Sequence, residues 1–296
     1  MRKLTVPFLF TVGWLFSAVS AHAIIIAGFT SATNDRFADD GSFIGSVFDW
    51  SGVGLTSGGQ WGTLVSNNVF LSANHLHPSL NSSLTFYSSN DSSGASQSRT
   101  VVGGQRIGTS DLWIGVLNSP VSPSFTSYSF ISNDIADSAA FNAPSPVRGL
   151  VAYVVGKSPT AWSTTLDMAV GRNVLDLWAE DSQAGGTTGD ALASLEGYTT
   201  DVAYETLLQG GDSGAPLFIG NGSSLLLTGI NWWVGKGTIN AVEYDISGYS
   251  YIGNYDVEIS TFINANAVPE PSSFALITSL IALAGAGRRR RHPATR

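Results

Sequence analysis

The sequence predicts an all-β protein, and three observations carry that reading. Short runs rich in Val, Ile, Phe, Tyr, Trp and Thr recur along the chain, separated by clusters of Gly, Ser and Asn. The body holds no long stretch with apolar residues at helical spacing, and no internal repeat. Of 296 residues 43% are hydrophobic and only 12% charged, enough for one large core or two smaller ones.

The chain opens on an address. Met1-Arg2-Lys3 is basic, residues 6–19 are largely apolar, and Ala21-His22-Ala23 has the small-x-small form of a cleavage site. Residues 1–23 therefore read as a cleaved signal peptide, and cleavage leaves Ile24 first. A retained membrane anchor is the competing reading, and the apolar span is short for one. Strands follow at residues 61–65, 69–73, 84–87, 111–117, 149–155 and 225–227, each bounded by turn residues. Residues 88–97 and 179–198 read as polar loops, the second as an insertion. Prolines and serines gather at 118–146 and mark a boundary between two halves.

The chemistry gathers around Gly210-Gly211-Asp212-Ser213-Gly214-Ala215-Pro216. A serine between glycines can sit on a tight turn that a substrate carbonyl approaches closely. The amides of Gly211 and Ser213 can then converge on a developing oxyanion. A plain Gly-rich turn between strands is the alternative for this motif alone. A serine nucleophile needs a base, and the four histidines are His22, His75, His77 and His292. His22 lies in the signal segment and His292 in a basic tail. His75 closes the apolar run Val69–Ala73 followed by Asn74, whereas His77 precedes Pro78 and reads as a loop residue. The base needs an orienting carboxylate. Asp111 heads the apolar run 112–117, where burial is costly without a partner. By itself it reads equally as an exposed turn residue after Gly108-Thr109-Ser110.

Together these segments resemble the trypsin-like, chymotrypsin-fold serine proteases over residues 24–265. Leu71-Ser72-Ala73-Asn74-His75 is similar to the family's Leu-Thr-Ala-Ala-His, and Gly211-Asp212-Ser213-Gly214-Ala215-Pro216 to its Gly-Asp-Ser-Gly-Gly-Pro. Asp111-Leu112-Trp113-Ile114-Gly115-Val116-Leu117 is similar to its aspartate strand, and the order His, Asp, Ser is the family's. The resemblance implies two six-stranded antiparallel β-barrels, at 24–128 and 129–265. It implies a catalytic triad of His75, Asp111 and Ser213, with the oxyanion held by Gly211 and Ser213. It also implies a primary pocket at Leu207, Leu208, Trp232 and Trp233, with no carboxylate to receive Lys or Arg. The sequence departs from the family at Asn74, at the absent cysteine after His75, and at Trp232-Trp233. In a gapless register Trp232 takes the place of a serine that supports the aspartate; a shift of one puts Asn231 there. The resemblance further implies that an Ile24 ammonium pairs with Asp212. Local amides satisfying Asp212 are the alternative.

The far end of the chain resembles a PEP-CTERM sorting signal of Gram-negative bacteria. Val268-Pro269-Glu270-Pro271 precedes an apolar stretch, 274–287, and then Arg288–Arg291. Residues 266–296 thus imply a transient inner-membrane tether, an exosortase-type processing partner, and a cell-surface or extracellular-matrix destination. Net charge is −8 overall, but residues 24–268 carry seven basic against 21 acidic side chains, a balance of −14. Such a body repels nucleic acid and anionic membranes. No cysteine is present, so no disulfide staples the fold. With only His75 and His77 left in the mature body, no zinc site and no cofactor are expected, and no loop with the regular oxygen-ligand spacing of a calcium site stands out. The expected activity is that of an exported serine endopeptidase acting on protein or peptide substrates. The alternative is a non-catalytic surface or biofilm-matrix binding protein on the same fold.

Overall fold

Every residue of Val69–Ala73 is buried, and this run, apolar but for Ser72, pairs antiparallel with Leu112–Leu117. Those two strands anchor the first unit of a computed structural model that describes residues 23–38, 41–161, 163–197, 202–239, 241–266 and 268. Nearly all of the signal segment 1–23 and of the sorting segment 266–296 lies outside the described residues. The chain begins with β1 (Ile25–Ile26) and a single turn, α1 (Ser31–Asn34), capped by Thr30. Six strands then close into a barrel: β2 (Val53–Thr56), β3 (Trp61–Leu64), β4 (Val69–Ala73), β5 (Ser83–Tyr87), β6 (Ser96–Arg106) and β7 (Leu112–Leu117). Their order around the barrel is β2-β3-β4-β7-β6-β5. Closure leaves no edge, and it encloses Leu64, Phe70, Leu84, Phe86 and Val101.

A short helix, α2 (Ser138–Asn142), leads to the second unit, made of β8 (Val151–Gly156), β9 (Ala169–Val174), β10 (Leu177–Ala184), β11 (Thr187–Leu195), β12 (Thr206–Leu207), β13 (Pro216–Asn221), β14 (Ser224–Ile239) and β15 (Val242–Tyr251). Seven of these form one antiparallel sheet, in the order β10-β11-β15-β14-β13-β8-β9, where the resemblance implies a barrel of six. The sheet curls until β9, at one end, meets β11, the second strand from the other end. Asp176, just past β9, donates its N–H to Ala193 O of β11 at 3.0 Å, and Asn173 Nδ2 donates to Ser194 Oγ at 2.7 Å. The fold class is therefore the all-β one expected from the sequence, with a closed barrel and a second curled sheet.

Two features depart from the sequence reading. Of residues 179–198, expected as a loop, 179–195 belong to the β10–β11 hairpin. The Gly185-Gly186 turn takes positive φ at both residues (62° and 75°), as a two-residue hairpin turn requires. Its polar residues are the exposed face of a strand: burial alternates along Thr187–Ala191. The termini also cross the expected boundary. β1 pairs with β12, Ile25 opposite Leu207, so residues 24–26 sit on the second unit. Helix α3 (Asp256–Asn266), which closes the described chain, returns to the first, where Asn68 Nδ2 donates to Asn266 O at 2.9 Å. Between the units Trp50 is fully buried, edge-on to Phe218 and Phe48 at 5.8 and 6.1 Å.

Candidate active site

Strand pairing brings His75 to Asp111 across 36 residues of sequence. Ala73 at the end of β4 lies opposite Leu112 at the start of β7. Just beyond, the chain makes a 3₁₀ turn, Asn74–Leu76, facing the residue before β7. Asn74 N–H donates to Asp111 O at 2.7 Å, and His75 N–H donates to Asp111 Oδ1 at 3.0 Å. His75 Nδ1 lies 2.7 Å from Asp111 Oδ2. The carboxylate accepts, so Nδ1 carries the proton and Nε2 is left as an acceptor. Asp111 is fully buried, while the His75 side chain keeps 28% of its surface. Burial pushes the Asp111 carboxyl above its ordinary range, and the hydrogen bonds from His75 oppose that rise.

Ser213 stands on a turn seated against the same segment. Asp212 N–H donates to Gln209 O at 3.1 Å, closing a four-residue turn. Gly211, at its third position, has φ of 107°, which makes it a type II turn and requires glycine there. Gly214 has φ of 88° and no room for a side chain. A β-carbon there would lie 2.8 Å from Ser72 Oγ, 3.3 Å from Ala73 N and 3.4 Å from Leu76 O. The serine turn therefore rests on the residues that flank His75. Ser213 Oγ makes no hydrogen bond to His75 in this structure, and such bonds are often long without substrate. Among the described residues, neither the Gly211 nor the Ser213 amide has an acceptor. Two unspent donors beside a half-buried serine hydroxyl are what an oxyanion site needs.

The neighbouring pocket is small, about 80 Å³. Leu208, Gln209, Gly210, Trp232, Trp233 and Val234 line it together with Asp212, Ser213 and Asn231 of the serine turn and its brace. Leu207, expected in the pocket, is instead held in β12 opposite Ile25 and does not line it. The register of the two tryptophans resolves as a β-bulge. Asn231 pairs with Tyr249 and Trp233 with Gly248, leaving Trp232 as the extra residue. Neither Asn231 nor Trp232 bonds to Asp111. Asn231 braces the serine turn instead, its Nδ2 donating to Val155 O at 2.7 Å and to Asp212 O at 3.2 Å. Gly214 N–H donates to Asn231 O at 2.9 Å. Beyond Ile230, β14 has left β13 and pairs only with β15. From Val234 to Ile239 no described strand pairs with its other edge.

Asp212 is fully buried. Its Oδ1 accepts Lys157 N–H at 2.8 Å and its Oδ2 accepts Gln209 N–H at 2.7 Å. Burial pushes its carboxyl up to about 7, against these bonds and the Lys157 charge. Ile24 is 1% exposed and donates its N–H to Lys157 O at 3.1 Å. A β-carbon on Gly156 would lie 2.7 Å from Asp212 Oδ1 and 2.8 Å from Ile24 Cβ, so these two residues are near neighbours. His77 stands apart. It stacks on Trp113 with ring centres 3.7 Å apart, and its Nδ1 lies 3.0 Å from Pro78 O.

Sequence reasoning missed two contributors. The tip of the β10–β11 hairpin reaches His75: a β-carbon on Gly185 would lie 3.4 Å from His75 Cβ. Thr188 N–H donates to Thr109 O at 2.9 Å, tying that hairpin to the loop that carries Asp111. The signal was present as Gly185-Gly186 between alternating residues. Lys157 is the second, since both its backbone groups serve the Asp212–Ile24 region.

No family model matches the chain, and no curated protein matches it. Among solved structures, it resembles the NS6 protease from murine norovirus 1 at 18% identity. The match covers 71% of this chain and 94% of that one, with a TM-score of 0.42. An inactive mutant of the murine norovirus NS6 protease, extended at its C-terminus by a residue of NS7, matches at 16% identity. There 68% of this chain and 90% of that chain are covered, with a TM-score of 0.40.

Proposed function

We propose that the chain is an exported serine endopeptidase of the chymotrypsin type. The observation that carries the reading is the doubly bonded His75–Asp111 pair, packed under the turn that bears Ser213. In this mechanism Ser213 Oγ attacks the scissile carbonyl and its proton passes to His75 Nε2. Asp111 holds the imidazole tautomer and stabilises the imidazolium. The amides of Gly211 and Ser213 receive the oxyanion. His75 then protonates the leaving amine, and the acyl-enzyme is cleared by water with His75 again as base. Beyond Trp233, the edge of β14 that no described strand covers offers backbone groups to an extended substrate.

The export part of the proposal rests on residues 1–23 and 266–296 as sequence. A signal peptidase would expose Ile24. An exosortase-type enzyme would process the tail near Pro269-Glu270-Pro271, leaving the body at the cell surface or in the matrix. The −14 body suits that destination and not nucleic acid.

The small pocket sets the expected specificity. A space of about 80 Å³ between Leu208 and the tryptophans admits small apolar side chains, and the one carboxylate among its lining residues, Asp212, is fully buried with both oxygens already bonded to the Lys157 and Gln209 amides. Digestion of a peptide library by the protein expressed from the full chain is expected to give cleavage mainly after Ala, Val and similar residues. The preference should be loose, because one methylene discriminates by only ~1–3 kcal/mol. Efficient cleavage after arginine would contradict the pocket. No cleavage of any peptide would contradict the peptidase reading itself.

A further inference from the structure

Residues 24–268 contain seven basic side chains, and six of them are engaged. Arg36, Arg99, Arg106 and Arg148 donate to backbone carbonyls, and Lys236 pairs with Glu243. The Arg172 guanidinium lies over the Tyr153 ring. Lys157 differs: among the described residues its ammonium has no hydrogen bond, ion pair or ring contact.

Its position is also distinctive. The Lys157 backbone is fixed at both ends, its N–H on Asp212 Oδ1 and its carbonyl on Ile24 N–H. The half-buried side chain runs from there along the serine turn. A β-carbon on Gly211 would lie 3.5 Å from Lys157 Nζ, and one on Gly59 would collide with it. Both glycines have positive φ, so the notch that holds the ammonium is built by residues that carry no side chain. Trp61 Nε1 donates to Gly211 O at 3.4 Å and ties the barrel side of this notch to the serine turn. A cation with no hydrogen bond or ion pair among the described residues is thus held beside the proposed oxyanion turn, its charge felt by the Asp212 and Asp167 carboxyls but bonded to neither.

The pocket decides which part of a substrate meets it. An acyl-side side chain enters between Leu208, Trp232 and Val234, and Lys157 lines no part of that space. The ammonium stands outside it, next to Gly59 in the β2–β3 turn of the barrel. We infer that Lys157 is a specificity residue for the leaving-group side of the substrate. It receives a carboxylate from the first or second residue after the scissile bond, either an Asp or Glu side chain or a free C-terminus. This rests on the peptidase reading and adds a subsite to it.

The test is a set of matched peptides that share one cleavable acyl side. Glu and Gln are compared at each of the two positions after the bond, and a C-terminal acid is compared with its amide. For the protein expressed from the full chain, kcat/KM should favour the acidic member of at least one pair by about fivefold, the scale of a solvent-accessible ion pair. The difference should appear in KM and shrink toward one in 1 M salt, where screening is nearly complete. In Lys157→Met the ratio should fall to about one, in Lys157→Glu it should invert, and in Lys157→Arg it should persist. The pair that responds identifies the source of the carboxylate. Equal cleavage within every pair by the unmodified protein overturns the subsite while leaving the peptidase reading intact. So does a preference that survives in Lys157→Met. A protein that cuts no peptide at all overturns both.

Discussion

Ser213→Ala is expected to abolish peptide-bond hydrolysis, lowering kcat by about 10⁶-fold, as loss of a triad nucleophile does. His75→Ala should cost about as much, and the double variant little more, because members of a triad act as one unit. Asp111→Asn should lower kcat by about 10⁴-fold. An amide in place of the buried carboxylate can offer its NH₂ to Nδ1 and so favour the wrong tautomer. His77→Ala is the control. Its ring lies on Trp113 and bonds near Pro78, so activity should stay within about tenfold of the unmodified protein. Steady-state kinetics on one good peptide separate these cases. Equal losses from the His75 and His77 changes would contradict the assignment, as would full activity without Ser213.

The second large effect is expected at Asp212 and Ile24. With the Ala23–Ile24 bond intact, Asp212 is held by two neutral amides, and burial leaves its carboxyl at about 7. Cleavage after Ala23 turns the Ile24 amide into an ammonium beside that carboxyl. The charge then has a partner, and Asp212 can stay ionised while shaping the Gly211 turn. One alanine inserted ahead of Ile24, checked by mass spectrometry, is expected to cost about 100-fold in kcat/KM, the scale of one lost oxyanion donor. Asp212→Asn should cost a similar amount.

Thermal unfolding provides an independent measure. A carboxyl raised from 3.8 to about 7 by burial binds its proton more tightly folded than unfolded. Stability therefore falls as pH rises from about 4 to about 7, and levels off above that. Asp167, pushed up to about 6 by burial, acts in the same direction over a narrower range. The extended protein should thus melt lower at pH 8 than at pH 5. The correctly processed protein, and Asp212→Asn, should show a smaller difference. Full turnover with the extension in place would rule out activation through the Ile24 ammonium.

The site was legible where local sequence carries the chemistry. His75 and Asp111 close and open apolar runs, and such runs become neighbouring buried strands. Gly211 and Gly214 occupy positive φ beside Ser213, which a glycine-flanked serine announces. What stayed hidden depends on pairing across the chain. The extra residue at Trp232 exists only because β14 has to match β15, and no reading of Asn231-Trp232-Trp233 alone fixes which residue bulges. Leu207 was placed by counting back from Ser213, but β1 captures it as a strand partner. The β10–β11 hairpin looked like a loop because its outward face is polar and its turn is Gly-Gly. Lys157 sits in no motif. Its place beside Gly211 comes from the approach of the β8 end, the serine turn and the β2–β3 turn, which lie far apart in sequence.

The central claim is that Ser213 is a nucleophile activated by His75. Reaction of the full-chain protein with a fluorophosphonate, followed by mass spectrometry of its peptides, tests it most directly. The account predicts a single phosphonyl adduct on the peptide that spans Gly210–Leu217, borne by Ser213 Oγ. The adduct should be absent in Ser213→Ala and formed orders of magnitude more slowly in His75→Ala. A folded, correctly processed protein that gains no adduct would contradict the account, and so would one labelled as fast without His75 as with it.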